Sequence, residues 1–209
     1  MIFRLHALAV FLRRALRNET EQLIIAARLE REVLLDWLGT TENGLLDREA
    51  EDRLAAIGGA RKKGQPVRVL RRDRRSMVPR EISALFCVHT ASEGPQWREI
   101  DAGMLVPGDL VELRAGDAIP CPVRLLSCDD FHVDQSRLTG SSVPVRKHAG
   151  LGQGKALQDF PNLAVPGMMV ASGRALAVVV AGGPVASPRE PARVEKAAPS
   201  SYGFLVAQR

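Results

Sequence analysis

Aromatic residues are scarce in this chain: two Trp, one Tyr and six Phe among 209 residues. Any core must therefore be mostly aliphatic. The formal charge is +5, and basic residues cluster at Arg61–Lys63 and Arg71–Arg75. No aromatic platform is interleaved with those clusters, so a solvated or membrane-facing basic segment is expected rather than nucleic-acid binding. Cysteines are few. Cys87, Cys121 and Cys128 lie in no metal-ligand spacing, and an odd count with no visible secretory signal points to small buried thiols in a reducing compartment. Long apolar runs are also missing. A membrane-spanning helix needs about 20 predominantly apolar residues. Met1–Leu12 is shorter and is broken by Arg4 and His6. Ala164–Gly183 approaches the length, but its glycines and β-branched clusters read better as two buried strands around a turn.

Several catalytic patterns are absent as well. Ser136, Ser141 and Ser142 have no Gly-x-Ser-x-Gly context. Gly152-Gln153-Gly154-Lys155 is too compact for a phosphate-binding loop and reads as a mobile loop. His6, His89, His132 and His148 pair with no Cys or Asp at a ligand spacing. Asp109, Asp117, Asp129, Asp130 and Asp134 could suggest a cation site. Asp109 and Asp117 each follow a glycine, however, where Asp commonly satisfies backbone amides, so turn chemistry is expected instead.

What is present divides into four parts. Residues 1–60 are an N-terminal helical segment, 61–80 a basic linker, 81–183 a β domain, and 184–209 a Pro/Ala-rich tail with little to bury. Met1–Arg17 mixes apolar residues with arginines and reads as a frayed terminus or an interfacial helix. Asn18 can cap a helix with Glu21 three residues on. Leu23, Ala27, Leu34 and Leu38 recur at helical spacing, joined by Ile24 and Val33, and Gly39 is a natural stop. A second helix, capped by Asp47, carries Leu46, Ala50, Leu54 and Ile57 to Gly58-Gly59. The pair predicts a helical hairpin whose charged faces, including Arg53, are solvated. Lys62–Arg75 reads as a linker or an exposed hairpin with one short extended piece at Val67–Leu70, and short strands are predicted at Ala84–His89, Trp97–Ile100, Leu110–Leu113, Val123–Leu126, Phe131–Val133, Met168–Val170 and Arg174–Ala181.

The stretch from 105 to 147 carries the functional signal. It holds Leu105-Val-Pro-Gly-Asp109, Ala115-Gly-Asp-Ala-Ile-Pro120 and Val133-Asp-Gln-Ser-Arg-Leu-Thr-Gly-Ser-Ser-Val-Pro-Val145. Asn162-Leu163 and Val170-Ala-Ser-Gly173 follow. These segments closely resemble the actuator domain of P-type cation-transporting ATPases. Gln135 and Arg124-Leu-Leu-Ser127 are most similar to the magnesium-transporting branch. Trp37-Leu-Gly-Thr-Thr41 with Gly44-Leu45, and Ala50-Glu51 with Arg53-Leu54, look like the cytosolic N-terminal segment of those transporters. The resemblance covers about residues 25–60 and 80–183.

The resemblance implies a mainly β fold, a distorted jelly-roll, with the helical hairpin before it. In the family the actuator docks against a phosphorylated aspartate of another domain. A Thr-Gly-Glu-Ser loop there presents a glutamate that positions water to hydrolyse the aspartyl phosphate. In-line attack on that anhydride needs an acceptor to orient and deprotonate the water, and a glycine beside it lets the backbone approach closely. The matching residues here are Thr139, Gly140, Ser141 and Ser142. Ser141 stands at the glutamate position, and a serine is no base at neutral pH. The family's Ile-Pro-Ala-Asp reads Ile119-Pro-Cys-Pro122, losing one acidic residue.

Within these residues there is no Asp-Lys-Thr-Gly phosphorylation motif. The expectation is a truncated or degenerate actuator module of a magnesium-type transporter, docking or regulatory at most. It holds no cofactor itself, whereas the family uses ATP and Mg. The implied partner is the phosphorylation domain of a P-type ATPase. The implied location is the cytoplasm, or the cytoplasmic face of the plasma (inner) membrane within a transporter. The competing reading is a free-standing interaction protein that binds a partner or an anionic surface through the β domain and basic linker.

Overall fold

A computed structural model describes residues 18–59, 64–72 and 94–181. The expectations for Met1–Arg17, Arg61–Lys63, Ala84–His89 and the tail lie outside them.

Helix α1 (Glu19–Arg28) starts where Asn18 Oδ1 accepts the Thr20 N–H at 2.9 Å. The spacing from Leu23 to Leu38 predicted one helix, but two are present. Leu29 and Glu30 are extended, and α2 runs Arg31–Leu38. A continuous helix would offer the Ala26 and Ala27 carbonyls to residues 30 and 31. They accept instead from Arg124 Nε at 3.2 Å and Asn162 Nδ2 at 2.8 Å. Gly39 ends α2 in the left-handed region at φ 61°, with Thr40 N–H closing onto Leu35 O at 2.9 Å. Val33, placed on the apolar face by spacing, is exposed, because the break rotates α2 relative to α1. Helix α3 (Asp47–Ala56) follows the two-residue strand β1 (Leu45–Leu46). Asp47 does not cap it. Its carboxylate accepts from Arg98 at 2.6 Å, a partner 51 residues away.

The remaining strands are β2 (Pro66–Arg72), β3 (Pro95–Asp101), β4 (Leu110–Arg114), β5 (Val123–Asp134), β6 (Val145–Arg146), β7 (Leu163–Ala164) and β8 (Met169–Val179). They form one sheet in the order β1-β2-β4-β8-β5-β6, with β3 on β2 and β7 on β5. The β1–β2 pair is parallel and the others are antiparallel. The extended piece expected at Val67–Leu70 is thus an interior strand. Two pairs of predicted short strands are fused. Val123–Leu126 and Phe131–Val133 belong to β5, and Met168–Val170 and Arg174–Ala181 largely to β8. The polar residues between them stay within the strands of a bulged ribbon, with register shifts at Leu125/Ser127 and Asp129/His132. Gly173 makes the bend possible at φ 76°. A Cβ there would sit 2.2 Å from Asp130 O and 2.4 Å from Asp129 O.

Apolar residues fill both faces of this sheet. Val69, Val111, Leu113, Leu125, Phe131, Val133, Ala177 and Val179 meet in one cluster. Leu110, Leu126, Leu163, Val178 and Val180 meet Leu23, Ala27, Leu34, Leu35 and Trp37 in a second. Helices α1 and α2 therefore bury their stripe against the sheet. Helix α3 adds Ala50, over Leu45 and Val106. No helix among the described residues is long and apolar enough to cross a membrane.

Candidate functional site

Strand β5 delivers the chain to the loop that carries Thr139, Gly140, Ser141 and Ser142. At its end the Asp134 carboxylate accepts the Ser136 N–H at 2.8 Å, which starts the single-turn helix α4 (Ser136–Thr139). Those hydrogen bonds from Ser136 hold the Asp134 carboxyl below its ordinary pKa. Thr139 turns its hydroxyl back onto Gln135 O at 3.1 Å. Gly140 then takes the left-handed conformation at φ 77°, and its N–H closes onto Ser136 O at 2.8 Å. Nothing lies within 4 Å of where its Cβ would be.

The four matched residues are therefore brought together at one tip, and Thr139 through Arg146 are all exposed. Ser141 N–H donates to Thr139 Oγ1 at 3.3 Å, and Ser141 Oγ accepts from Val143 N–H only at 3.5 Å. The hydroxyl makes only this one long contact and stays exposed at the tip. Such a tip can approach and contact another surface. It presents no carboxylate to take a proton from water.

The return strand β6 pairs Arg146 with His132 and Val145 with Val133. Lys147 then turns inward. It is 2% exposed, and its ammonium donates to Gln158 O at 2.6 Å and Phe160 O at 2.7 Å. Burial pulls its pKa down to about 8, against the opposing charge of Asp159. Nothing in the sequence reading marked Lys147. It sits beside an exposed run, and only its place after the paired Val145-Arg146 betrays the inward turn.

The aspartates do turn chemistry. Asp117 Oδ2 accepts the Arg114 N–H at 2.7 Å, and burial raises its pKa. Asp109 accepts the Val106 N–H at 2.9 Å, and it also takes both Nε and Nη2 of Arg71, at 2.9 and 2.7 Å. Arg71 thus belongs to a buried ion pair and not to a solvated basic segment. The signal was the alternation of Val67, Val69 and Arg71, which shares one buried face. Arg53 departs from its expected solvated face too. It donates to Leu38 O at 2.8 Å, Gly39 O at 2.8 Å and Pro107 O at 2.6 Å. Arg124 is buried between α1 and the sheet, and its pKa is lowered to about 10, so it stays charged at neutral pH. Cys121 is buried. Pro122, in the place of the family's acidic residue, accepts the Val180 N–H at 3.1 Å.

Among the described residues, no group of three His, Cys, Asp or Glu is arranged to hold a metal ion. Ser172 Oγ lies 3.2 Å from His132 Nδ1, but Asp130 approaches that same nitrogen through its carbonyl at 3.0 Å. A relay needs the two ring nitrogens used separately, so this is no hydrolase triad.

Comparison with known proteins bears on the same region. Residues 87–189 match the family model of the P-type ATPase actuator domain. The "Magnesium-transporting ATPase, P-type 1" of Escherichia coli strain K12 is 38% identical over 111 residues. The protein of the same name from Escherichia coli O157:H7 is equally similar. The match takes in 52% of this chain but only 12% of each relative.

Proposed function

The chain carries an actuator domain of the P-type ATPase family over residues 87–189, and from that premise we propose that it serves as the docking module of a magnesium-type cation transporter. Its partner is the phosphorylation domain, reached through the tip Thr139–Ser142, on the cytoplasmic face of the membrane. The bulged antiparallel sheet is read as the family's distorted jelly-roll, with the N-terminal helices as its cover. The family's ATP and Mg are assigned to the partner domain in this reading.

The observation that carries this reading is the tip itself. Its turn, its exposure and its left-handed glycine fit a loop that approaches a phosphorylated surface. At the position where the family holds a glutamate, Ser141 offers a hydroxyl and no carboxylate to take a proton from water. The role is therefore contact without water activation, which makes the module degenerate in chemistry while it keeps its shape. The electrostatic alternative, a basic linker seeking anionic surfaces, has less to work with. Arg68 pairs with Glu112, Arg71 with Asp109, and Arg72 donates to Gly44 O.

The test is aspartyl-phosphate decay in a separately expressed catalytic domain of a related transporter, with this chain added. The native chain should bind and leave decay nearly unchanged. Ser141→Glu should accelerate it about a hundredfold or more, the usual worth of a positioned base. Acceleration by the native chain equal to that of an intact actuator would overturn the idea that Ser141 disables the loop.

A further inference from the structure

The tip must be held at a fixed angle to meet a partner, and its two roots are built differently. The incoming root is helix α4 and its caps. The outgoing root is a two-residue strand followed at once by Lys147. That residue is fastened three ways. Its N–H donates to Phe131 O at 2.9 Å, and its ammonium donates to the carbonyls of Gln158 and Phe160. The next residue, His148, donates its N–H to Pro161 O at 2.9 Å. The segment 158–161 is in turn fixed to the sheet, since Phe160 lies in the cluster under α1 and Leu125 N–H donates to Asn162 O at 2.9 Å.

We propose that Lys147 is the positioning residue of the actuator loop: its ammonium, inserted between the Gln158 and Phe160 carbonyls, pins the outgoing root and so sets where Ser141 and Ser142 are presented. This rests on the docking role proposed above for the tip. Lys147 touches no reacting group. It acts through the loop that it anchors.

A lysine is an unusual pin. Both acceptors are neutral carbonyls, and the charged group that acts on it is Asp159, whose carboxylate is engaged with the Ala156 N–H at 3.0 Å. When the root opens, the ammonium returns to water and regains its ordinary affinity for protons. The open form thus binds the proton more tightly than the closed form. Linkage then requires the closed form to gain as pH rises from about 8 towards 10.5. The pin tightens in mild alkali, because the neutral amine still donates and no longer has a charge to desolvate.

The experiment uses the full 209-residue chain and trypsin. Cleavage after Arg146, an exposed site beside the pin, reports the population of the open root when opening is fast. Rates are normalised at each pH to a free peptide of the same sequence. In the native chain, normalised cleavage should fall roughly tenfold between pH 7 and 9, from the closed and open proton affinities. In Lys147→Met, cleavage should be roughly tenfold or more faster at pH 7, because two charge-assisted hydrogen bonds are gone, and the pH dependence should vanish. The melting temperature separates a positioning role from a global one, and it should fall by no more than a few degrees, since the two carbonyls that lose their donor regain water as the local root opens. Equal cleavage of the native and Lys147→Met chains would overturn the proposal, as would a native profile that is flat or rises with pH. The readout needs no partner, so a failure to dock on a phosphorylated domain would count against the docking role and not against the pin.

Discussion

Replacing Arg71 with Met tests the most consequential buried contact. The Asp109 side chain is fully buried and accepts three hydrogen bonds, two of them from Arg71. Arg71 Nη2 also reaches Met104 O at 3.3 Å. The pair joins β2 to the Val-Pro-Gly-Asp turn, which is stitched to β8 by Gly108 N–H to Val179 O at 2.8 Å and Val179 N–H to Asp109 O at 2.9 Å. In Arg71→Met the carboxylate keeps only the Val106 N–H. A buried charge stripped of its partner costs about 3–5 kcal/mol. In a domain of this size that amounts to a fall of roughly 10 °C in the melting temperature. Asp109→Leu alone leaves the guanidinium stranded and should cost a similar amount. The double variant Arg71→Met/Asp109→Leu removes both charges and should cost less than the sum by about 2 kcal/mol or more. Urea unfolding of the four chains, followed by circular dichroism, gives the cycle directly. If Arg71→Met came within about 1 kcal/mol of the native chain, or if the two losses simply added, Asp109 would draw its stabilisation from a source other than Arg71.

Other consequences can be checked alongside. Gly173→Ala should destabilise by several kcal/mol, because its Cβ would overlap two carbonyl oxygens, whereas Gly140→Ala meets open space and should cost only about 1 kcal/mol for the left-handed backbone; a reversed order in thermal melting would contradict the bend at Gly173. Arg53→Met should loosen α3 and the end of α2 together, since one guanidinium serves Leu38, Gly39 and Pro107; hydrogen exchange should quicken at Thr40 and in α3 with the β8 amides unchanged, and uniform exchange would argue against that coupling.

Charge misled the reading of the sequence most. Arg68, Arg71 and Arg72 lie in a run of basic residues, and composition alone made that run a linker. The alternation Val67, Val69, Arg71 was visible, but a buried arginine is plausible only once its partner is known. That partner, Asp109, is 38 positions on, at a distance that local patterns do not reach. Arg53, expected on a solvated face, misled in the same way. Glu49 four positions before it was a visible partner, but its other acceptors are the carbonyls of Leu38, Gly39 and Pro107, and no side-chain pattern records those. The break between α1 and α2 has the same origin, because it depends on Arg124 and Asn162 claiming carbonyls from across the fold.

Strand lengths were misjudged for a different reason. Ser127–Asp130 and Ala171–Gly173 look like turns because they are polar or glycine-bearing. Ser127, Cys128 and Asp129 instead pair with Leu176, Ala175 and Arg174, and Ser172 pairs with His132, so pairing satisfies the backbone while Ser127, Asp129 and Asp130 keep their side chains in water. Polarity marks exposure there and not the end of a strand. The tip at Thr139–Ser142 was legible because a left-handed glycine and a capped turn are local devices, written in adjacent residues. Its anchoring was not, since Lys147 finds its acceptors more than ten residues away. What a single chain shows of such a site is therefore the part that bends. The part that aims it is distributed through the fold, and Ser141 and Lys147 stand for the two: one exposed and replaceable, the other buried and committed.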